Sequence, residues 1–220
     1  MLKPRLVIFD CDGVLVDSEP IANACFAAAL QAEGLDIDVA ETRRRYVGLS
    51  MRSAIEKVEA ELKRALPEGW LDALQAETFA RLRSGIRPVQ GVMAAVQRIQ
   101  AAGIQTCVAS SGSVAKMTLT LTYSGLLRLF HPRLYSADLV TRGKPFPDLF
   151  LLAARSFGVT PNLAVVVEDS VYGVEAARAA RMRVLGYTGD PLTDGRALAE
   201  AGAMTFRSMA QLPGLLGLEP

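Results

Sequence analysis

Histidine is almost missing: His131 is the only one in 220 residues. A single imidazole excludes a histidine-cluster metal centre, and His131, followed by Pro132 with no nucleophile beside it, argues against a Ser-His-Asp triad. Cysteine is scarce as well. Cys11, Cys25 and Cys107 are odd in number and lack metal-ligand spacing, which argues against a disulfide framework and against a zinc site. No apolar run approaches the roughly 18 residues that a membrane span needs. The first ten residues lack the basic flank, long apolar stretch and cleavage site of a signal peptide. Excess charge is also absent, since 24 Lys and Arg against 23 Asp and Glu leave +1, and a polyanion partner gains no support. The expectation is a cytoplasmic protein with no membrane and no nucleic-acid partner. What is present, 50% hydrophobic and 21% charged residues, is globular composition, enough for one large domain or a core with a small second one.

Leu6 to Phe9 form a short apolar run that stops at Asp10, the pattern of a strand buried on both faces. Ile104 to Ala109, Leu163 to Val167 and Val184 to Tyr187 repeat it. Each follows a segment of helical periodicity, at Val92 to Ala102, Asp148 to Phe157 and Val171 to Arg181. Strands alternating with helices of this length predict βαβ units and a parallel sheet. Between the first strand and Val92 the pattern changes. Ile21 to Glu33, Val39 to Tyr46, Ser50 to Leu66 and Trp70 to Arg83 have helical spacing, separated by breakers at Gly34, Gly48, Pro67 and Gly85. These residues read as a helical domain inserted into an α/β core.

Ligands of open α/β sheets bind beyond the carboxyl ends of the strands, so the polar residues there carry the functional reading. Asp10 and Asp12 flank one residue at the end of a buried strand. In extended chain they aim two carboxylates at one volume, a repulsion relieved by a cation or a shared proton. Oxygen ligands suit Mg²⁺, and Gly13 permits a sharp turn away from the site. After the second run, Ser110, Ser111, Gly112 and Ser113 precede a helix near Val114, an arrangement that can cradle phosphate but that, taken alone, is more often an ordinary helix cap. Two prolines stiffen the chain beside Lys144, although a turn before a helix explains them equally well. Glu168 and Asp169 end the third run, where an acidic pair is costly unless a cation or hydrogen bonds balance it.

In this order, DCDGVLVDSE, VASSGS, GKPFPD and VVEDS resemble the haloacid dehalogenase-like (HAD) hydrolase superfamily. Within it they are similar to the phosphatases with a helical cap after the first strand, the group of phosphoglycolate and 6-phosphogluconate phosphatases and β-phosphoglucomutases. The likeness runs from Leu6 to about Tyr187. It implies a Rossmann-like parallel sheet core of residues 1–19 and 84–220, with an α-helical cap of residues 20–83 closing over the active site. By the resemblance, Asp10 is the nucleophile and Asp12 the general acid and base. Ser110, with Ser111 beside it, binds phosphate, and Lys144 neutralises it. Asp10, the backbone carbonyl of Asp12 and Asp169 hold Mg²⁺, with Glu168 as a further ligand or a support. Asp12 would arrive protonated, donate to the leaving alcohol and then activate the water that hydrolyses an aspartyl-phosphate.

The founding dehalogenases lack the second Asp, so Asp12 favours phosphoryl transfer. Phosphonoacetaldehyde hydrolases need a cap lysine, and the loop Tyr46 to Arg52 has none. The mutases carry a hinge histidine where this chain has Ala22, which leaves a sugar-phosphate mutase as the alternative to a phosphatase. A receiver-type phosphoacceptor module is the alternative from another class. The expected partner is a small phosphorylated sugar or sugar acid, selected in the cap by Ser50 and Arg52, with the enzyme a monomer or homodimer. Arg43 to Arg45 read as a solvated helix face.

Overall fold

The computed structural model describes residues 3–218; residues 1–2 and 219–220 of the expected core lie outside them. Strand β1 (Leu6–Phe9) lies mid-sheet with every residue buried, which is why it reads as an unbroken apolar run. Four helices follow: α1 (Glu19–Ala32), α2 (Val39–Tyr46), α3 (Met51–Leu62) and α4 (Trp70–Gly85). The chain then alternates through α5 (Val92–Ala101), β2 (Gln105–Ser110), α6 (Val114–Tyr123), α7 (Leu127–Phe130), β3 (Leu134–Ser136), α8 (Asp148–Ser156) and β4 (Ala164–Glu168). It ends with α9 (Val171–Ala179), β5 (Arg183–Tyr187), α10 (Gly195–Glu200), β6 (Met204–Phe206) and α11 (Leu212–Leu215). The strands form one parallel sheet in the order β3-β2-β1-β4-β5-β6.

Alternation along β1 divides the core. Val7 and Phe9 join a cluster with Val167, Met117 and Phe130, while Leu6 and Ile8 face Phe150, Val166 and Val174 on the other side. Helices α1 to α4 share a third apolar cluster, in which Phe26 packs edge-on against Tyr46 at 5.2 Å and Trp70 at 6.1 Å. Two segments join these helices to the sheet, and they run side by side: Asp17 N donates to Arg87 O and Val89 N to Leu15 O, both at 2.9 Å.

The differences from the sequence reading have local causes. Strands β3 and β6 have three residues each and lie at the sheet edges, too short for a periodic signal. The helix expected over Ser50 to Leu66 stops at Leu62 because Lys63 adopts a left-handed φ of 54°. Gly85, read as a breaker, is the last residue of α4. Strand β2 sits one residue later than expected, so Ser110 ends the strand itself. No helix among the described residues is long and apolar enough to cross a membrane.

Candidate active site

Register sets the site. Phe9 lies opposite Val108 on one side and Val167 on the other, so Asp10 emerges level with the ends of β2 and β4. Asp10 N closes this edge by donating to Val167 O at 2.9 Å. Lys144 Nζ, on the loop before α8, donates to Asp10 Oδ1 and to Glu168 Oε1, each at 2.5 Å, and is 2% exposed. Burial pushes the Asp10 carboxyl up to about 7, although Lys144 pulls the other way. For Lys144 burial works against the charge, but Asp10 and Glu168 more than offset it and hold its proton firmly.

Glu168 is saturated. Its Oε2 accepts from Asp169 N, Ser170 N and Ser170 Oγ, all at 2.9 Å, which leaves Oε1 to orient Lys144. This packing explains Gly173, on the first turn of α9, where a Cβ would lie 1.9 Å from Glu168 Oε1. An alanine in a solvated helix usually stabilises by ~0.5–1 kcal/mol relative to glycine. Here Gly173→Ala is expected to destabilise by about 1–3 kcal/mol through overpacking and to lower activity by displacing Glu168. Urea unfolding that showed the variant as stable as the parent would refute the close approach.

Asp12 is held differently, with Lys116 Nζ 2.9 Å from Oδ2 and the Ser18 hydroxyl donating to Oδ1. Burial raises its proton affinity, but Lys116 and Ser18 outweigh it and bring the Asp12 carboxyl below its ordinary value. Without substrate this favours the carboxylate form, whereas the resemblance implies a protonated Asp12 once substrate has arrived. Asp169 is buried, and its carboxyl has no hydrogen bond or ion pair among the described residues. Its Oδ2 lies so close to Gly13 that a Cβ there would meet it at 2.0 Å. Burial first, then Glu19, Glu168 and Asp10, raise its pKa well above the ordinary carboxylate value.

Asp10, Asp12, Ser110, Ser111, Lys144, Glu168, Asp169 and Arg52 all line one cavity of about 540 Å³. Ser110 Oγ accepts from Gly112 N at 3.1 Å, and the Ser111 hydroxyl donates to Gly48 O at 2.9 Å, joining the sheet edge to the loop before α3. Ser50 is not among the lining residues. It caps α3 by accepting from Ser53 N at 3.1 Å and faces a neighbouring groove.

A family model for haloacid dehalogenase-like hydrolases matches residues 4–181. The chain belongs to this family. It is 30% identical over 216 residues to a 6-phosphogluconate phosphatase of Escherichia coli K12, covering 98% of this chain and 96% of the relative. It is 31% identical over 202 residues to a phosphorylated carbohydrates phosphatase of Thermotoga maritima, covering 91% and 92%. Among solved structures, a conserved haloacid dehalogenase-like protein of unknown function from Agrobacterium tumefaciens C58 is 40% identical, with 97% of each chain covered and a TM-score of 0.79. Membership in this hydrolase family sets aside the receiver-type reading.

The donor set of this HAD chain fits a hard cation. No three His, Cys, Asp or Glu side chains among the described residues converge as a metal-binding group. Two carboxylates completed by a backbone carbonyl and water are nevertheless what Mg²⁺ accepts, and the buried Asp169 carboxyl, which has no hydrogen bond or ion pair among the described residues, is a group whose ionised form a cation would stabilise.

Sequence reasoning missed Lys116, Ser18, Glu19, Gly173 and Arg43. Arg43 is no part of a solvated face: it pairs with Glu19 at 2.7 Å and, across to the loop after β5, with Asp190 at 2.8 Å. Its neighbours Arg44 and Arg45 do serve the surface, paired with Glu41 and Glu61. The available signal was Thr42 and Tyr46, four apart and buried, which mark an inward face that Arg43 flanks. Lys116 had no such signal, because 104 residues separate it from Asp12.

Proposed function

We propose that this HAD-family enzyme hydrolyses the phosphomonoester of a small phosphorylated sugar or sugar acid through an aspartyl-phosphate on Asp10, with residues 20–83 acting as the cap. The observation that carries this reading is the buried Asp10–Lys144–Glu168 arrangement, with Asp12 and its own lysine facing the same cavity. The relatives' names, a 6-phosphogluconate phosphatase and a phosphorylated carbohydrates phosphatase, support it.

Asp10 Oδ attacks phosphorus as the bond to the leaving oxygen breaks, while Lys144 offsets the negative charge on both partners. The incoming phosphate competes with Asp12 for Lys116, which raises the proton affinity of Asp12, so that it takes up a proton from solvent and passes it to the leaving oxygen. Asp12, again a carboxylate, then takes a proton from the water whose oxygen attacks phosphorus and releases Asp10. Asp10, Asp169 and the Asp12 carbonyl would hold Mg²⁺, which when bound supplies charge neutralisation at the phosphoryl oxygens. Ser110 would receive the phosphate.

Chelation is expected to abolish turnover, and Ca²⁺ to inhibit through its looser shell. The pH dependence of stability gives a check independent of turnover. Asp10 has a raised native pKa of about 7, so without metal the fold loses stability as pH rises from about 4 through 7 and Asp10 ionises, and the raised pKa of Asp169 acts in the same direction. Mg²⁺ should therefore raise Tm more at pH 8 than at pH 5. Full activity in excess EDTA, or an equal Tm rise at both pH values, would remove the metal assignment.

The choice between phosphatase and mutase rests on Ala22, which lines the cavity without an imidazole to couple cap closure to Asp12. Incubation with glucose 1-phosphate or glucose 6-phosphate is expected to release inorganic phosphate without interconversion. Interconversion with little phosphate released would establish the mutase instead.

A further inference from the structure

One part of the cavity wall carries polar groups that the hydrolytic steps leave unused. It is built by α1 and α4, with Asn23 and Phe26 on the first and Leu74, Gln75, Thr78 and Phe79 on the second. Asn23 is 9% exposed, and its amide has no hydrogen-bond partner among the described residues. Half-buried Gln75 also lacks one, whereas the Thr78 hydroxyl is spent on Leu74 O at 2.7 Å. Buried amides are retained without protein partners where something else completes them, and each presents one acceptor and two donors, the complement of neighbouring hydroxyls. Phe26, Leu74 and Phe79 beside them suit the C–H surface of a carbon chain.

The charges of the cavity lie elsewhere. Lys116 and Lys144 are both paired with carboxylates, Glu19 is paired with Arg43, and Arg52 is exposed, one helical turn from the equally exposed Glu56. The α1 and α4 residues that line the cavity include no Lys or Arg, so a carboxylate or second phosphate held against them would be desolvated with no cation from either helix. We infer that Asn23, aided by Gln75, reads the hydroxyls of an uncharged leaving group, so that the preferred substrate is the monophosphate of a neutral sugar or polyol and not a sugar-acid phosphate or a bisphosphate. This rests on the phosphomonoester hydrolysis proposed above.

The test compares kcat/KM for glucitol 6-phosphate, 6-phosphogluconate, fructose 1,6-bisphosphate and p-nitrophenyl phosphate, with Mg²⁺, in the parent enzyme, Asn23→Leu and Gln75→Met. The parent is expected to favour glucitol 6-phosphate over both more highly charged sugars. In Asn23→Leu the ratio of kcat/KM for glucitol 6-phosphate to that for p-nitrophenyl phosphate should fall by about 10-fold, the scale of one lost hydrogen bond. Gln75→Met, at a half-buried position, should shift the ratio the same way and carries the test if Asn23→Leu does not fold. A parent enzyme preferring the acid or the bisphosphate, or variants with an unchanged ratio, would overturn the inference and leave the phosphatase reading standing. If none of the four esters is hydrolysed, the phosphatase reading fails and the inference fails with it.

Discussion

Asp10→Asn is expected to lower kcat by about 10⁴-fold or more while the protein remains folded. The substitution preserves shape but replaces the carboxylate proposed to attack phosphorus with an amide that cannot form a phosphoenzyme. Its structural cost is small for a particular reason: burial already disfavours the Asp10 charge, and Lys144 keeps Glu168 as an ion-pair partner when that charge is removed. Circular dichroism and the unfolding transition should therefore stay close to the parent's. A folded variant with more than a few per cent of parental turnover would eliminate the covalent route through Asp10.

Lys144→Met should damage both activity and stability. Lys144 is the shared cation of Asp10 and Glu168, and without it two buried carboxylates face each other. Breaking a buried pair by removing one partner costs about 3–5 kcal/mol. Losing a positioned charge donor at the reacting group costs ~10²–10³ in kcat. The stability loss depends on pH with a definite sign. Asp10 titrates at about 7 even beside the lysine, so below that value it takes up a proton and the repulsion is relieved. Urea unfolding should show the full loss at pH 8 and a smaller one at pH 5. A loss that was constant with pH would mean that Lys144 contributes packing, for example over the Phe150 ring at 5.2 Å, and not charge.

The acidic residues stood out in the sequence because each follows a run of buried β-formers, and a parallel strand carries the residue after its end to the ligand edge of the sheet. Asp10, just after β1, and Ser110 and Glu168, the last residues of β2 and β4, all reach that edge because the three strands are neighbours in register. The four helices after β1 were legible for a related reason: their apolar residues recur at helical spacing, and helices form from local contacts. The edge strands β3 and β6 were not, because three residues carry no period.

What only the tertiary structure decided is which charge meets which. Nothing local joins Lys116 to Asp12, Lys144 to Glu168 or Arg43 to Asp190, and each pair forms because separate elements pack at one sheet edge. The protonation of Asp12 follows from such a pair, so a motif that named its role could not state its charge. The same holds for Ser50, whose hydroxyl is drawn to a helix end, and for Asn23, an unremarkable amide in a helical stretch until α4 closes over it and leaves it facing the cavity. Residue order determines the strand ends and the helical faces because these depend on near neighbours, whereas ion pairing and burial depend on packing between segments far apart in the chain.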